Sequence, residues 1–231
     1  MLFISKKAKV SGSIEGEAVV LGPSEVGGGS VIGNNVVIGY PIRRKILQVP
    51  NASFLEYDAA SSGAKVGPRC IVRSNSTIYE GSSLEEAVEL GHGVLVREKC
   101  EIGAGARIGT FAVVDGSVCI GSRCSIQTGV YLPSGTVVGS DVFMGPYVTV
   151  TNDRYPPSPK TSGVVIESGA VIGSRAVLIA GIRVGSGAVV GAGALVTRDV
   201  PPGDVVLGVP ARRVMGRDEY DRKQKDFVSL K

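Results

Sequence analysis

"EIGAGARIGTFAVVDGSVCIGSRCSI", residues 101–126, places an aliphatic side chain at every sixth position: Ile102, Ile108, Val114, Ile120 and Ile126. Four places after each of the first four comes a small residue: Ala106, Ala112, Val118 and Cys124. A period of six fits neither the 3.6-residue turn of an α-helix nor the two-residue alternation of a long strand. It fits very short strands joined by regular turns, with the aliphatic residue and the residue four later both facing inward. One hexad buries nothing alone, so hexads must stack into a solenoid.

The same register runs from Val66 to Val150, fifteen hexads with an apolar side chain at every sixth place. A shorter run covers Ile14 to Ile38, and another covers Ile166 to Val196. At three hexads per coil, the three runs predict between eight and nine coils. With roughly 4.8 Å between stacked strands the column is about 40 Å long.

Composition agrees. Apolar residues make up 43% of the 231, aromatics only 5%, and there is no Trp. The 33 glycines are about twice the usual ~7% share. A core of Val, Ile, Leu and Ala with many tight turns follows. The net charge is +4, with basic residues scattered; no stripe of Lys and Arg interleaves with aromatics, which argues against a nucleic-acid partner. The apolar part of "MLFISKK" is too short for a signal peptide, and no run is long enough to span a membrane. A cytoplasmic protein with no membrane partner is the expectation.

The four cysteines form no C-x-x-C pair and have no histidine cluster beside them, so neither a metal site nor a disulfide framework is expected. Cys70, Cys100 and Cys124 fall in the small inward slot, where a free thiol packs as a small hydrophobe. Cys119 lies elsewhere in its hexad and should point outward.

The register breaks twice. Ile38 and Val66 are 28 residues apart, and Val150 and Ile166 are 16 apart, where six would suffice. Two surface excursions, about 40–65 and 151–163, leave the column there. Loops thrown out of a rigid scaffold are where binding residues collect, although tolerated insertion is the plain alternative. The repeat ends at "VTRDVPPGDVVLGVPARRV", residues 196–214, because Pro201, Pro202 and Pro210 cannot donate ladder hydrogen bonds. The charged segment 216–231 is expected to form a short helix capping the open end of a 1–215 domain.

The pattern [LIV]-G-x-x-[AVSTC]-x resembles the hexapeptide-repeat acyltransferases. That resemblance implies an all-β, left-handed parallel β-helix. The handedness comes from the resemblance alone, since the usual crossover rule points the other way. V-T-R-D-V-P at 196–201 and G-V-P-A-R at 208–212 resemble the C-terminal signature of members that use acetyl-CoA. Such enzymes are homotrimers that hold coenzyme A between neighbouring columns. Carried onto this chain, Arg198, Pro210, Ala211, Arg212 and Arg213 would meet the coenzyme, with arginine suited to its phosphates. Ala180, Gly181, Ala192, Gly193 and Ala194 would leave backbone amides open to the pantetheine arm. The Gly181 N–H is the candidate to stabilise charge on the thioester oxygen.

His92, the only histidine, sits in "LGHGVL" (90–95) at the third place of its hexad, a corner and not an inward slot. Ser74, Thr110 and Thr128 stand one or two coils away. An exposed imidazole there can accept a proton from an attacking amine or hydroxyl near neutral pH, although nucleotide-linked amino-sugar acetyltransferases of this superfamily do not all need a base. "MGPYVTVTNDRYPP" (144–157) and "IQTGVYLPSG" (126–135) are similar to segments of N-acetyltransferases acting on UDP- or dTDP-linked amino sugars. On that resemblance Asn152 and Asp153 would hold sugar hydroxyls or the amine, and Tyr155 would pack on the nucleobase. Thr110 and Thr128 would line the acceptor groove. Arg43 and Arg44 would bind a diphosphate or simply be solvated.

The expectation is therefore an acetyl-CoA-dependent N-acetyltransferase of a nucleotide-activated amino sugar. An O-acetyltransferase and a non-catalytic scaffold stay open beside it. A γ-type carbonic anhydrase shares the resemblance but needs three histidines around a metal. A sugar nucleotidyltransferase would need a βαβ region with a Gly-rich loop, and none precedes the repeat.

Overall fold

A computed structural model describes residues 1–229. Strands of mostly two residues form three parallel faces. Face 1 has ten strands, from Phe3–Ile4 to Leu195–Val196. Face 2 has nine, from Lys9–Val10 to Arg183–Val184, and face 3 has eleven, from Ser13–Ile14 to Arg212–Gly216. The chain visits the faces in turn, so each regular coil repeats after 18 residues: Glu101 pairs with Cys119 and Ile102 with Ile120. In nearly every strand the first residue faces out and the second is buried. The expected parallel β-helix is the observed fold.

The glycine after the aliphatic residue has a steric cause. A Cβ on Gly109 would lie 2.5 Å from Gln127 C and Thr128 N of the next coil. The chain turns so close to its neighbour that no side chain fits.

The small slot also accepts polar side chains, because the next coil satisfies them. Ser76 Oγ donates to the Gly91 carbonyl (3.0 Å) and Ser82 Oγ to the Arg97 carbonyl (2.5 Å). The thiols of Cys70, Cys100 and Cys124 approach the carbonyls of Glu85, Asp115 and Gly139 at 3.0, 3.0 and 2.9 Å. Burial pushes the Cys100 thiol up to about 11, so it stays protonated. Cys119 is exposed.

Ten strands on face 1 exceed the eight to nine coils expected. At the start, Ile4 and Val10 keep the six-residue step, but Val10 and Ile14 are four apart, which hides the first coil. At the end, Val200 bridges Val184 and Asp204–Leu207 continues face 3 alongside Val189–Val190. The prolines do not stop this coil. Gly185 N–H donates to the Val200 carbonyl, whereas Pro201, at the equivalent place, has no later face 2 strand to reach. Arg212–Gly216 then folds back antiparallel on Asp204–Leu207.

The first excursion carries two short helices, α1 (Arg43–Ile46) and α2 (Phe54–Ala60); the second, 151–163, contains neither helix nor strand. α3 (Arg217–Ser229) follows the last strand and buries none of its residues. Arg217 ties it to the column by donating to the Gly187 and Gly169 carbonyls (2.9 and 3.3 Å). The turn through Ala211 also holds to the last coil, its N–H donating to the Leu195 carbonyl.

Both excursions leave from the corner between faces 1 and 2, after the third and eighth strands of face 1. Five strand spacings, roughly 24 Å, separate them. The first is anchored by Glu80, which is 4% exposed. Its carboxylate accepts from Lys45 Nζ (2.7 Å), Ser62 N (2.5 Å) and Ile42 N (3.1 Å). Tyr40 packs edge-on against both Tyr57 and Tyr79. Burial alone would raise the Glu80 carboxyl, but these hydrogen bonds and the Lys45 charge outweigh it and hold the group below its ordinary value.

Two predictions follow from this packing. Gly109→Ala should cost about 1–3 kcal/mol through overpacking, whereas Gly28→Ala, with nothing within 4 Å of its Cβ, should stay within about 0.5 kcal/mol. Chemical denaturation of both variants measures this, and equal stabilities would contradict the close-approach account. A carboxyl with a lowered folded pKa contributes stability above its unfolded pKa and loses it as pH falls through the folded value. Glu80→Gln should therefore destabilise by about 1–3 kcal/mol at neutral pH, and the gap to the unmodified protein should shrink below about pH 4. A gap that is constant from pH 7 to 3 would exclude that role.

Candidate functional site

The corner between faces 3 and 1 is a continuous column of backbone hydrogen bonds. Phe111 N–H donates to the His92 carbonyl (2.9 Å), Gly129 N–H to Thr110 (2.9 Å), and Tyr147 N–H to Thr128 (2.8 Å). Farther along, Arg175 N–H donates to Pro146 and Gly193 N–H to Ser174. His92, Thr110, Thr128 and Ala192 thus share one ridge, as the hexad positions predict for the first three. His92 is exposed. On the face 3 flank lies a cleft of about 340 Å³ lined by Arg73, Glu89, Arg107, Thr110, Gln127 and Thr128. The sequence marks neither arginine, since Arg107 sits at an outward strand position and Arg73 at the corner just after Ile71–Val72, and nothing in the repeat signals a binding residue at either place.

The corner between faces 1 and 2 forms a second ridge. Asn152, Asp153, Tyr155, Ser162, Ala180 and Gly181 are among the residues around a cavity of about 340 Å³. Asp153 is partly committed to its own loop: its carboxylate accepts from Tyr155 N (3.0 Å) and Ser158 N (2.8 Å). Asn152 makes no side-chain hydrogen bond among the described residues and is free for a ligand. The Gly181 amide is exposed and, among the described residues, donates no hydrogen bond. The cause is local: the excursion at 151–163 removes the regular corner to which Gly181 would otherwise pair.

A third cavity, about 220 Å³, lies at the C-terminal end between the two signature segments. Thr197, Arg198, Asp199, Ala211, Arg212 and Arg213 line it. Arg213 is held by Asp204 (2.8 Å). Arg198 has no ion pair among the described residues, and Arg212 donates only to its neighbour's carbonyl, Ala211 O (2.9 Å). Two guanidinium groups are therefore open to an anion. Pro210 is exposed but outside that lining.

Several expected residues do not meet. "AGIRVGSGAVVGAGA" (180–194) runs through three corners, so Ala180 and Gly181 lie on one ridge and Ala192 and Gly193 on another. Ala194 is fully buried and its N–H donates to Gly191 O; it is core, not a coenzyme contact. Ala180 is also buried, with its N–H given to Thr151 Oγ1 (2.9 Å). Arg43 and Arg44 are exposed on α1, roughly 24 Å along the column from the Asn152 loop. Their neighbour Lys45 is bound by Glu80.

His92 and Gly181 are not neighbours either. They stand on opposite edges of face 1, before its fifth strand and after its ninth. Four strand spacings amount to roughly 19 Å along the axis.

The sequence profile described as "hexapeptide repeat of succinyl-transferase" matches residues 100–134 and 163–198. Over 71 residues the chain is 46% identical to 2,3,4,5-tetrahydropyridine-2,6-dicarboxylate N-acetyltransferase of Staphylococcus carnosus, covering 31% of this chain and 30% of that protein. The chain thus spans under a third of the length of the curated relatives it matches. UDP-N-acetylglucosamine acyltransferase from Campylobacter jejuni superposes with a TM-score of 0.63 at 16% identity, over 94% of this chain and 81% of that one. The Arabidopsis UDP-N-acetylglucosamine acyltransferase gives 0.51 at 19% identity, over 93% and 75%. At such identities the likeness is one of fold. The chain thus resembles hexapeptide-repeat proteins over residues 100–134 and 163–198 and shares its fold with the two acyltransferases that superpose on it.

Proposed function

We propose that the protein moves acetyl from acetyl-CoA to the amino group of a UDP- or dTDP-linked sugar, as a homotrimer with sites between neighbouring columns. The C-terminal cleft carries this reading: it gathers both signature segments and leaves Arg198 and Arg212 unpaired for the coenzyme's phosphates. Charge-assisted hydrogen bonds from arginine to phosphate are among the stronger polar contacts available at a surface. Ala192 and Gly193, exposed on the His92 ridge, leave room for a thin arm to pass.

In the reaction the acceptor nitrogen attacks the thioester carbonyl carbon. A C–N bond forms, the C–S bond breaks, and coenzyme A leaves as a thiolate. His92 takes the proton that the nitrogen loses and returns it to the departing sulfur. A neighbouring column standing side by side with its axis parallel can bring opposite edges of face 1 together, but it cannot remove the 19 Å difference in height. His92 is therefore assigned to the thioester end, and the free Gly181 amide to the pantetheine arm instead of the oxyanion.

A second acceptor is favoured by one finding: the staphylococcal relatives are named for N-acetylation of a dicarboxylate. Thiol release from acetyl-CoA, measured across UDP- and dTDP-amino sugars, amino dicarboxylates and simple sugars, separates the acceptors. Turnover with a nucleotide amino sugar is expected, and turnover confined to simple sugars would overturn the proposal. His92→Ala should lower kcat/KM by about 10²–10⁴; unchanged kcat/KM would show that the acceptor's own neutral amine needs no base. Acetyl-CoA at 100 times its Kd should stabilise the protein by about 2.7 kcal/mol, and Arg198→Ala should reduce that gain at the same ligand concentration.

A further inference from the structure

The chain has only five phenylalanines and seven tyrosines, yet three exposed rings crowd one patch that none of the roles above uses. Phe111 is 68% exposed, Tyr147 52% and Tyr131 38%. Phe111 and Tyr147 hold the last place of the corner beside His92, with φ of 57° and 58°, a left-handed region that bulky side chains seldom enter. Asn35, Asn75, Gly93 and Gly129 fill the same place in other coils.

Each ring rests on bare backbone. A Cβ on Gly93 would lie 2.7 Å from the Phe111 ring, and one on Gly129 2.6 Å from the Tyr147 ring. The coils that carry the two rings stand two strand spacings apart, roughly 9.6 Å, with Tyr131 in register between Val113 and Thr149 on the coil between them. Aromatic side chains held in a costly backbone conformation, and left largely open to water, return little to the isolated fold beyond their contacts with Gly93, Gly129 and Arg175.

Cations flank the rings. The Arg175 guanidinium lies 5.3 Å from the centre of the Tyr147 ring. Across the corner, Arg73 and Arg107 line the 340 Å³ cleft with Thr110, Gln127 and Thr128. Among the described residues none of these three arginines has a carboxylate within 4.0 Å. Glu89 lines the same cleft and is in register with Arg107, yet forms no ion pair with it. Arg73 and Arg107 bracket the strand Glu89–Leu90, from which the chain turns into His92.

We infer that this corner binds the nucleoside diphosphate of the acceptor, with its base on Phe111 and Tyr147 and its phosphates on Arg107 and Arg73. This inference rests on the nucleotide-linked acceptor proposed above, and it moves the base from Tyr155 to the His92 ridge. Aromatic faces accept any base by stacking, and guanidinium groups match phosphate oxygens. A sugar joined to that diphosphate then lies beside His92.

Calorimetry on the full chain tests it, with UDP, dTDP, uridine and coenzyme A as probes. Asparagine already occupies the left-handed place at 35 and 75, so Phe111→Asn and Tyr147→Asn should keep the fold. Each should weaken UDP about tenfold and leave coenzyme A unchanged, and Arg107→Gln should weaken UDP but not uridine. The inference is overturned if the Asn variants bind UDP as before, or weaken coenzyme A instead, which would make adenine the occupant. It is equally overturned if they change only the mass in solution by light scattering, which would make the patch a contact between copies. Binding of acetyl-CoA with no binding of UDP or dTDP would sink this inference and leave acetyl transfer standing; binding of neither would sink the proposed function itself.

Discussion

The spacing between stacked strands governs everything else in this molecule. At roughly 4.8 Å per coil the chain has space inside for two side chains per hexad and, where a corner presses on the next coil as at Gly91 and Gly109, for none. Ile or Val in the strand, Gly at the bend and a small residue four places on are consequences of that one distance. Gly91 shows its severity: an added Cβ would sit 2.5 Å from the amide nitrogen of Thr110. Because each coil is completed only by the next, no hexad has independent stability, and the core is a single cluster running from Ala18 to Val206.

The same stacking explains how a hydrophobic column tolerates polar atoms. Ser30, Ser76 and Ser82 each donate to a carbonyl of the following coil and accept an amide from it. Such a hydroxyl is satisfied twice, which removes the penalty of an unpaired buried group. Cysteine fits because its thiol reaches the same carbonyl position. The slot selects for size first and for polarity hardly at all, which is why Ala, Val, Ser, Thr and Cys alternate there without pattern.

The column was legible in the sequence because its period is strict: every residue on the six-residue step from Val66 to Val150 is a buried apolar side chain, and the other buried valines of that stretch lie four places after a step. What escaped was whatever departs from that step. The four-residue interval from Val10 to Ile14 hid the first coil, and Pro201 and Pro202 were read as an end although they occupy a corner where the lost N–H has no later strand to meet. Helices α1 and α2 lie outside the repeat, and Glu80 looks like any exposed corner residue until Lys45 and two amides close on it. Site residues were legible in part: stepping by 18 places Thr110 and Thr128 above His92, whereas small residues at 180–194, close in sequence, divide among three corners.

A β-helix of this kind converts sequence position into two coordinates. The remainder within a coil fixes the corner, and the number of coils fixes the height. Lateral packing of copies with parallel axes changes which corners meet, but it leaves every height where the chain put it. Residues that act on the same atom must therefore agree in height, whereas residues serving successive parts of a long ligand need not. By that criterion His92, Arg107, Thr110 and Phe111 form one compact level, Asn152, Asp153 and Gly181 another, and Arg198 with Arg212 a third. Three levels strung along one axis suit an extended cofactor and an extended acceptor lying side by side, each anchored by charge at one end and reacting at the other. Under the proposed function the coenzyme accounts for the two levels nearer the C-terminus, so the nature of the acceptor is decided at the level of His92 alone.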